Sequence, residues 1–189
     1  MKKGNRAVMK TFKKLIPALI MLIIAGVSYA LMVLLPLYCE NNGLGLRLWV
    51  RITTAASLYV SIFAAGALFF RMINRAALKT VLIVLFSLAM MVIGGAVAFL
   101  GILFSKPEYI VEKEGEKYVA VVDGFLKTKV YYYEPVNILV YRKPARIEEY
   151  YGDGSINPFK KENEGKYKPI YTHRFDENGH LTDPSFPEE

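Results

Sequence analysis

Metal binding, nucleophilic attack and proton transfer each need particular side chains at particular spacings, and this sequence offers few such groupings. Asp153, Ser155 and Asn157 stand at alternate positions, with Glu164 where the last ligand of a calcium loop would fall. Calcium takes about six to eight oxygens, and an EF-hand loop needs a glycine at its sixth position for the sharp turn. Pro158 occupies that position and Lys160 and Lys161 add repulsive charge, so these four are weak metal candidates and an ordinary polar loop is the preferred reading. His173 and His180 flank a proposed turn and would be cross-strand neighbours, yet two histidines without a third ligand make an incomplete site. No zinc-type spacing occurs, and no cofactor is expected.

Nucleophilic catalysis needs a Ser or Cys on a strand-to-helix turn or beside a base. Ser155 lies in a polar stretch, Ser185 near the C-terminus and Cys39 at the end of an apolar run. None fits that pattern. The acid pairs Glu148-Glu149 and Glu162-Glu164 sit in charge-mixed sequence and read as solvated side chains rather than a general acid and base. The expectation is a protein that is not an enzyme.

The strongest remaining signal is aromatic. From Lys106 onward there are 14 Tyr or Phe residues, including Tyr131-Tyr132-Tyr133 and Tyr150-Tyr151, with Lys and Arg interleaved. Tyrosine combines an apolar ring with a polar tip, which suits recognition surfaces and also β-strands. In the stretch 126–134, Leu126, Thr128, Val130 and Tyr132 would share one face and Lys127, Lys129, Tyr131 and Tyr133 the other. The first set reads as core. Tyr131, Tyr133, Lys127 and Lys129 are therefore the candidate binding residues.

Three elements must position these groups against a membrane. Residues 15–38, 52–70 and 80–105 lack Asp, Glu, Lys, Arg and His altogether. A helix needs about 20 apolar residues to cross a hydrocarbon core of about 30 Å, so all three qualify, with helix limits of about 15–38, 49–70 and 80–105. No ionisable group lies within them to serve an ion path. Small residues recur four apart at Gly26 and Ala30, at Ser57, Ser61 and Ala65, and at Gly94 and Ala98, a spacing that lets helices approach closely, within one bundle or between copies in a homo-oligomer. Pro17 and Pro36 read as boundary residues of the first helix, and Arg51 snorkels to the interface beside Trp49.

The net charge of +7 raises the question of nucleic acid. Eleven Lys/Arg against the single acid Glu40 precede Lys106, whereas thirteen Lys/Arg against sixteen acids follow from there on. The basic excess is juxtamembrane, so no phosphate-binding groove and no nucleic-acid partner is expected. Lys2, Lys3, Arg6, Lys10, Lys13 and Lys14 precede the first helix and Arg71, Arg75 and Lys79 follow the second, while the first link holds only Arg47 and Arg51. The positive-inside rule then predicts a cytoplasmic N-terminus over 1–14 and an extracytoplasmic C-terminal part.

After Pro107, helical runs give way to period-two alternation. Strands are predicted over 109–113, 117–123, 126–134 and 137–142, a short helix over 146–151, a long polar loop over 152–168 and a hairpin over 169–182, whose turn takes positive φ at Asn178 and Gly179. The expected fold is a three-helix membrane region (15–105) followed by a small, mostly antiparallel β (α+β) domain (107–183) and a flexible tail (184–189). Charge pattern, compact loops and a single cysteine fit the cytoplasmic membrane of a bacterium, where the bilayer is one partner and a membrane or extracytoplasmic protein the other. The expected function is an accessory or interaction protein displaying a small binding domain. A subunit of a transport or export assembly, or an immunity-type protein against a secreted peptide, is the alternative.

Overall fold

The computed structural model describes residues 2–184, and side chains within 15–182. Three long helices, α1 (Lys2–Asn41), α2 (Leu48–Phe70) and α3 (Ala76–Phe104), precede an antiparallel β-sheet region, and a short strand, β1 (Leu44–Leu46), lies between the first two. Over Leu15–Asn41, Leu48–Phe70 and Ala76–Phe104 the helices are long and apolar enough to cross a membrane. Most of their Leu, Ile, Val and Phe side chains are exposed. So much apolar surface is compatible with lipid around it and not with water. The tail expected from 184 lies, beyond Pro184 itself, outside the described residues, as does Ser185.

Helix α1 runs without a break through Pro17 and Pro36, which are thus interior rather than boundary residues. Where no water competes for the backbone, a helix tolerates the missing N–H of a proline better than it tolerates ending. Its actual stop is chemical: Gly43 adopts φ of +65°, its N–H donates to the Glu40 carbonyl at 3.1 Å, and the Asn42 amide donates to the Tyr38 carbonyl at 2.7 Å. A residue in the left-handed region is the usual way to close a helix.

The chain divides into two compact units, one comprising Met1–Leu34 and Ile52–Leu103, the other Leu35–Arg51 and Phe104–Glu189. In the first unit Ser28 and Ser57 share a hydroxyl hydrogen bond of 2.9 Å, and Tyr59 donates to the Met90 carbonyl at 2.7 Å. Gly94 leaves room for the Tyr59 ring and Gly66 for that of Phe86. Among the described side chains of α1, Ala18, Ala25 and Ser28 are buried, whereas a side chain added at Gly26 would meet open space.

The second unit holds a six-stranded sheet, ordered β2-β3-β4-β6-β7-β8, and a separate pair, β1-β5. The strands are β2 (Glu108–Lys113), β3 (Glu116–Asp123), β4 (Lys127–Tyr133), β5 (Val140–Arg142), β6 (Ile147–Asp153), β7 (Tyr171–Phe175) and β8 (Leu181–Pro184). Every pairing is antiparallel. Glu114 (φ +57°) and Gly115 (φ +83°) form the two-residue turn between β2 and β3, the mirror-image type that matches strand twist. The helix predicted over 146–151 is instead β6. Ile147 and Glu149 are buried and Glu148 and Tyr150 half-buried, a period of two that outweighs the helix propensity of adjacent glutamates. Gly152, at φ +100°, sits where the β4–β6 register slips between Lys127 and Lys129. In the last turn only Gly179 has positive φ; Asn178 instead donates its N–H to Asp176 at 2.9 Å.

Five consecutive residues of β3, Tyr118 to Val122, are buried, so this strand is covered on both faces. One face packs Tyr118, Ala120, Val122, Val130, Tyr132 and Ile147 under Tyr151 and Phe159. The other packs Val119 and Val121 against Tyr133 and Tyr141. Burying a valine completely stabilises by about 1.5–3 kcal/mol, and Val119, Val122 and Val130 are all fully buried. Leu126, expected in the core, lies in the β3–β4 turn and is exposed.

The first link is more than a connection. Leu44, Gly45 and Leu46 pair with Arg142, Tyr141 and Val140, and Gly45 leaves the space that the Tyr141 ring fills. Beside this pair the buried Arg47 donates through Nε to Glu108 Oε2 at 2.8 Å, and the Leu48 N–H, at the start of α2, donates to Glu108 Oε1 at 2.9 Å. Breaking a buried pair from one side costs about 3–5 kcal/mol because the remaining charge stays desolvated. Glu108→Ala is expected to lower the melting temperature of the detergent-solubilised chain by many degrees, and Glu112→Ala, on the exposed part of the same strand, to change it little. Equal effects would show that Glu108 is not a structural tie.

Candidate functional site

Alternation along the strands places Lys129, Tyr131 and Tyr133 of β4 on one face with Glu148 and Tyr150 of β6 and Tyr171, His173 and Phe175 of β7. The register sets Lys129 opposite Tyr150 and Tyr131 opposite Glu148, and then Tyr150 opposite Tyr171 and Glu148 opposite His173. Ring centroids are 5.0 Å apart for Tyr150 and Tyr171, 4.6 Å for Tyr171 and His173 and 6.4 Å for His173 and Phe175. All of these rings are half-buried. The result is an aromatic band across β6 and β7. Its first two pairs are stacked ring on ring, so their neighbours already occupy the ring faces.

The four sequence candidates separate within this arrangement. Tyr131 shares the face of the band, opposite Glu148, and its ring lies 6.5 Å from that of Tyr133. Tyr133 turns toward Tyr141, with centroids 4.5 Å apart, and serves mainly as cover for Val119 and Val121. Lys129 is held to Glu148 by an ion pair of 2.7 Å, a bond that raises the ammonium pKa. Lys127 lies beyond the bulge opposite Asp153 and is exposed. The contributors that sequence reading missed, Tyr150, Tyr171, His173 and Phe175, carried a usable signal: period-two spacing in two segments that pair only once β6 is recognised as a strand.

The weak metal candidates remain apart as ligands. Asp153 accepts from the Tyr150 hydroxyl at 2.8 Å. The Asn157 carboxamide donates to the Tyr109 hydroxyl at 2.9 Å and accepts from the Phe159 N–H at 3.1 Å, so it fixes the loop over the core. Ser155 and Glu164 lie in the 154–170 connection. His173 faces Glu148 and Pro184 across the ladder, while His180 contacts Asp176 at 3.2 Å, so the two histidines are not opposite one another. Among the described residues no cluster of three or more His, Cys, Asp or Glu is placed to hold a metal.

The opposite face holds a buried carboxylate. Glu149, expected to be solvated, is only 4% exposed. One of its oxygens accepts from the Lys113 ammonium; the other accepts from the hydroxyls of Tyr132 and, at 2.9 Å, Tyr151. The Lys113 nitrogen also lies 4.5 Å from the centre of the Tyr132 ring. A carboxylate whose oxygens are both engaged by charged or hydroxyl donors is a tie across the sheet, from β2 to β6, rather than a proton acceptor awaiting substrate.

Burial sets the titration of these phenols. It is the main cause that pushes Tyr132, Tyr133 and Tyr151 well above the usual tyrosine range, with the Glu149 carboxylate adding to it for Tyr132 and Tyr151. Tyr118 is pushed up to about 12 by burial and by its bond to Glu116.

No family model, curated protein or solved structure matches this chain.

A phenol with a raised pKa binds its proton more tightly folded than unfolded. Its contribution is therefore complete below pH of about 10 and drains away as pH climbs from there toward the folded value. Alkaline titration followed at 295 nm is expected to show exposed tyrosines ionising gradually and the buried set only in a cooperative step that coincides with loss of sheet signal. Smooth ionisation of every tyrosine near pH 10 with the sheet intact would refute the burial of these rings.

Proposed function

We propose that this protein is a non-enzymatic, multi-pass accessory protein of a bacterial cytoplasmic membrane that displays its sheet unit outside the cytoplasm and holds a protein partner there. The observation that carries this reading is the aromatic band of Tyr150, Tyr171, His173 and Phe175, with Tyr131 on the same sheet face. Half-buried aromatic side chains lose little conformational entropy on binding and supply large contact area, which is why they dominate protein interfaces. The stacked rings offer their edges and polar tips. That favours a polypeptide, which meets edges with carbonyls and aliphatic side chains, over a sugar ring, which needs an open aromatic face. The Lys129–Glu148 pair beside the band gives a polar margin.

Two measurements test this. A photo-crosslinking residue at position 171 is expected to give one discrete protein adduct in cells, and the same residue at position 161, in the loop over the opposite face, to give none. Matching patterns at both sites would dismiss the band as the docking face. For orientation, Cys39 is buried against Leu46 and Val50 and is a poor reporter. In a Cys39→Ser background, Glu177→Cys is expected to react with an impermeant maleimide in intact cells and Arg75→Cys only after lysis. The reverse pattern would invert the topology.

A further inference from the structure

Where the second unit joins the apolar helices, it carries two features that the aromatic band does not use. The first is a set of exposed apolar side chains on two loops. Phe125 and Leu126 in the β3–β4 turn are 62% and 73% exposed, and Ile138 and Leu139 in the β4–β5 connection are 76% and 43% exposed. Each loop is held to the end of an apolar helix by an aromatic residue. The Phe125 ring stacks on that of Phe104, the last residue of α3, with centroids 6.0 Å apart. The Ile138 carbonyl accepts from Trp49 Nε1, in the first turn of α2, at 3.1 Å. Side chains of this size, exposed in water beside the ends of apolar spans, are at home in the headgroup and upper acyl layer.

The second feature is a pocket of about 190 Å³ whose lining includes Leu48, Arg51, Ser105, Lys106, Glu108 and Tyr141. Its two cations precede and follow apolar sequence directly, Arg51 just before Ile52 and Lys106 just after Ser105. The acid in its wall, Glu108, is already engaged by Arg47 and the Leu48 N–H. Lys106 reaches Asp123 at 2.5 Å in an ion pair open to solvent, an arrangement that costs little to exchange. Guanidinium, ammonium and hydroxyl groups around a space of this size form the donor set that a phosphate takes.

We propose that this pocket takes the phosphate of a lipid headgroup, with Phe125, Leu126, Ile138 and Leu139 lying in the lipid beside it. The inference is independent of which partner the aromatic band binds and of which side of the membrane the unit faces.

The test uses the full chain in mild detergent, delipidated and then incubated with phosphatidylglycerol, with diacylglycerol as the phosphate-free counterpart, or with inorganic phosphate. Native mass spectrometry is expected to show retained phosphatidylglycerol, little diacylglycerol, and severalfold lower phosphatidylglycerol retention for both Arg51→Gln and Lys106→Gln. Lys117→Gln, of equal charge change and at the other end of β3 from Asp123, should retain lipid like the parent. If Arg51→Gln proves unstable by thermal melting, the exposed Lys106→Gln decides. Equal retention of the two lipids, or unchanged retention in the pocket variants, overturns the proposal. So does stabilisation by millimolar inorganic phosphate without any lipid adduct, which would assign the site to a free anion.

Discussion

The arrangement of the second unit depends on where one carboxylate goes. Glu108 opens the first strand of the sheet, and its two oxygens are taken by the Arg47 guanidinium and by the first N–H of α2. A buried ion pair returns little net stability, because desolvation offsets most of the attraction. What it gives is selection: any register that leaves Glu108 or Arg47 alone in the interior is penalised heavily. Around that fixed point, β1 aligns with β5, the Arg47 N–H reaches the Leu139 carbonyl at 2.9 Å, and the Lys143 N–H reaches the Gly43 carbonyl at 2.8 Å.

Strand β3 then divides the unit's work between two faces. On one, the Glu149 network and the cover supplied by Phe159 leave no oxygen of that carboxylate unmatched, which fixes the face. On the other, Tyr141 and Tyr133 close over Val119 and Val121 at one end and leave the aromatic band half-open at the other. Rigidity behind a partly open aromatic surface is the arrangement that lets side chains be held ready rather than ordered at the moment of binding.

Much of this was legible in the sequence where a single physical signal dominated. Uncharged runs long enough for a bilayer marked the three helices, and the period-two pattern around Thr128, Val130 and Tyr132 marked the buried side of β4. The failures have a common cause. Ile147, Glu149 and Tyr151 alternate correctly for a strand, but a glutamate at a core position reads as surface until Lys113, Tyr132 and Tyr151 are known to surround it. Likewise Arg47 reads as a loop charge until Glu108, far along the chain, is placed beside it. Pro17 and Pro36 read as helix ends because proline lacks an N–H, although the helix runs on through both. Each miss concerns a side chain or backbone group whose environment is made by distant residues.

The second unit is assembled from two stretches of chain that α2 and α3 separate. Strand β1 is synthesised before both helices, and β5 after them, so the pair closes only once the intervening apolar segments have been made. A fragment beginning after α3 would contain all six strands of the sheet yet lack the cover over Tyr141 and the counter-charge for Glu108. In that sense the unit is a split domain, and a soluble version of it calls for residues 35–51 to be supplied as a peptide or rejoined to the sheet by circular permutation.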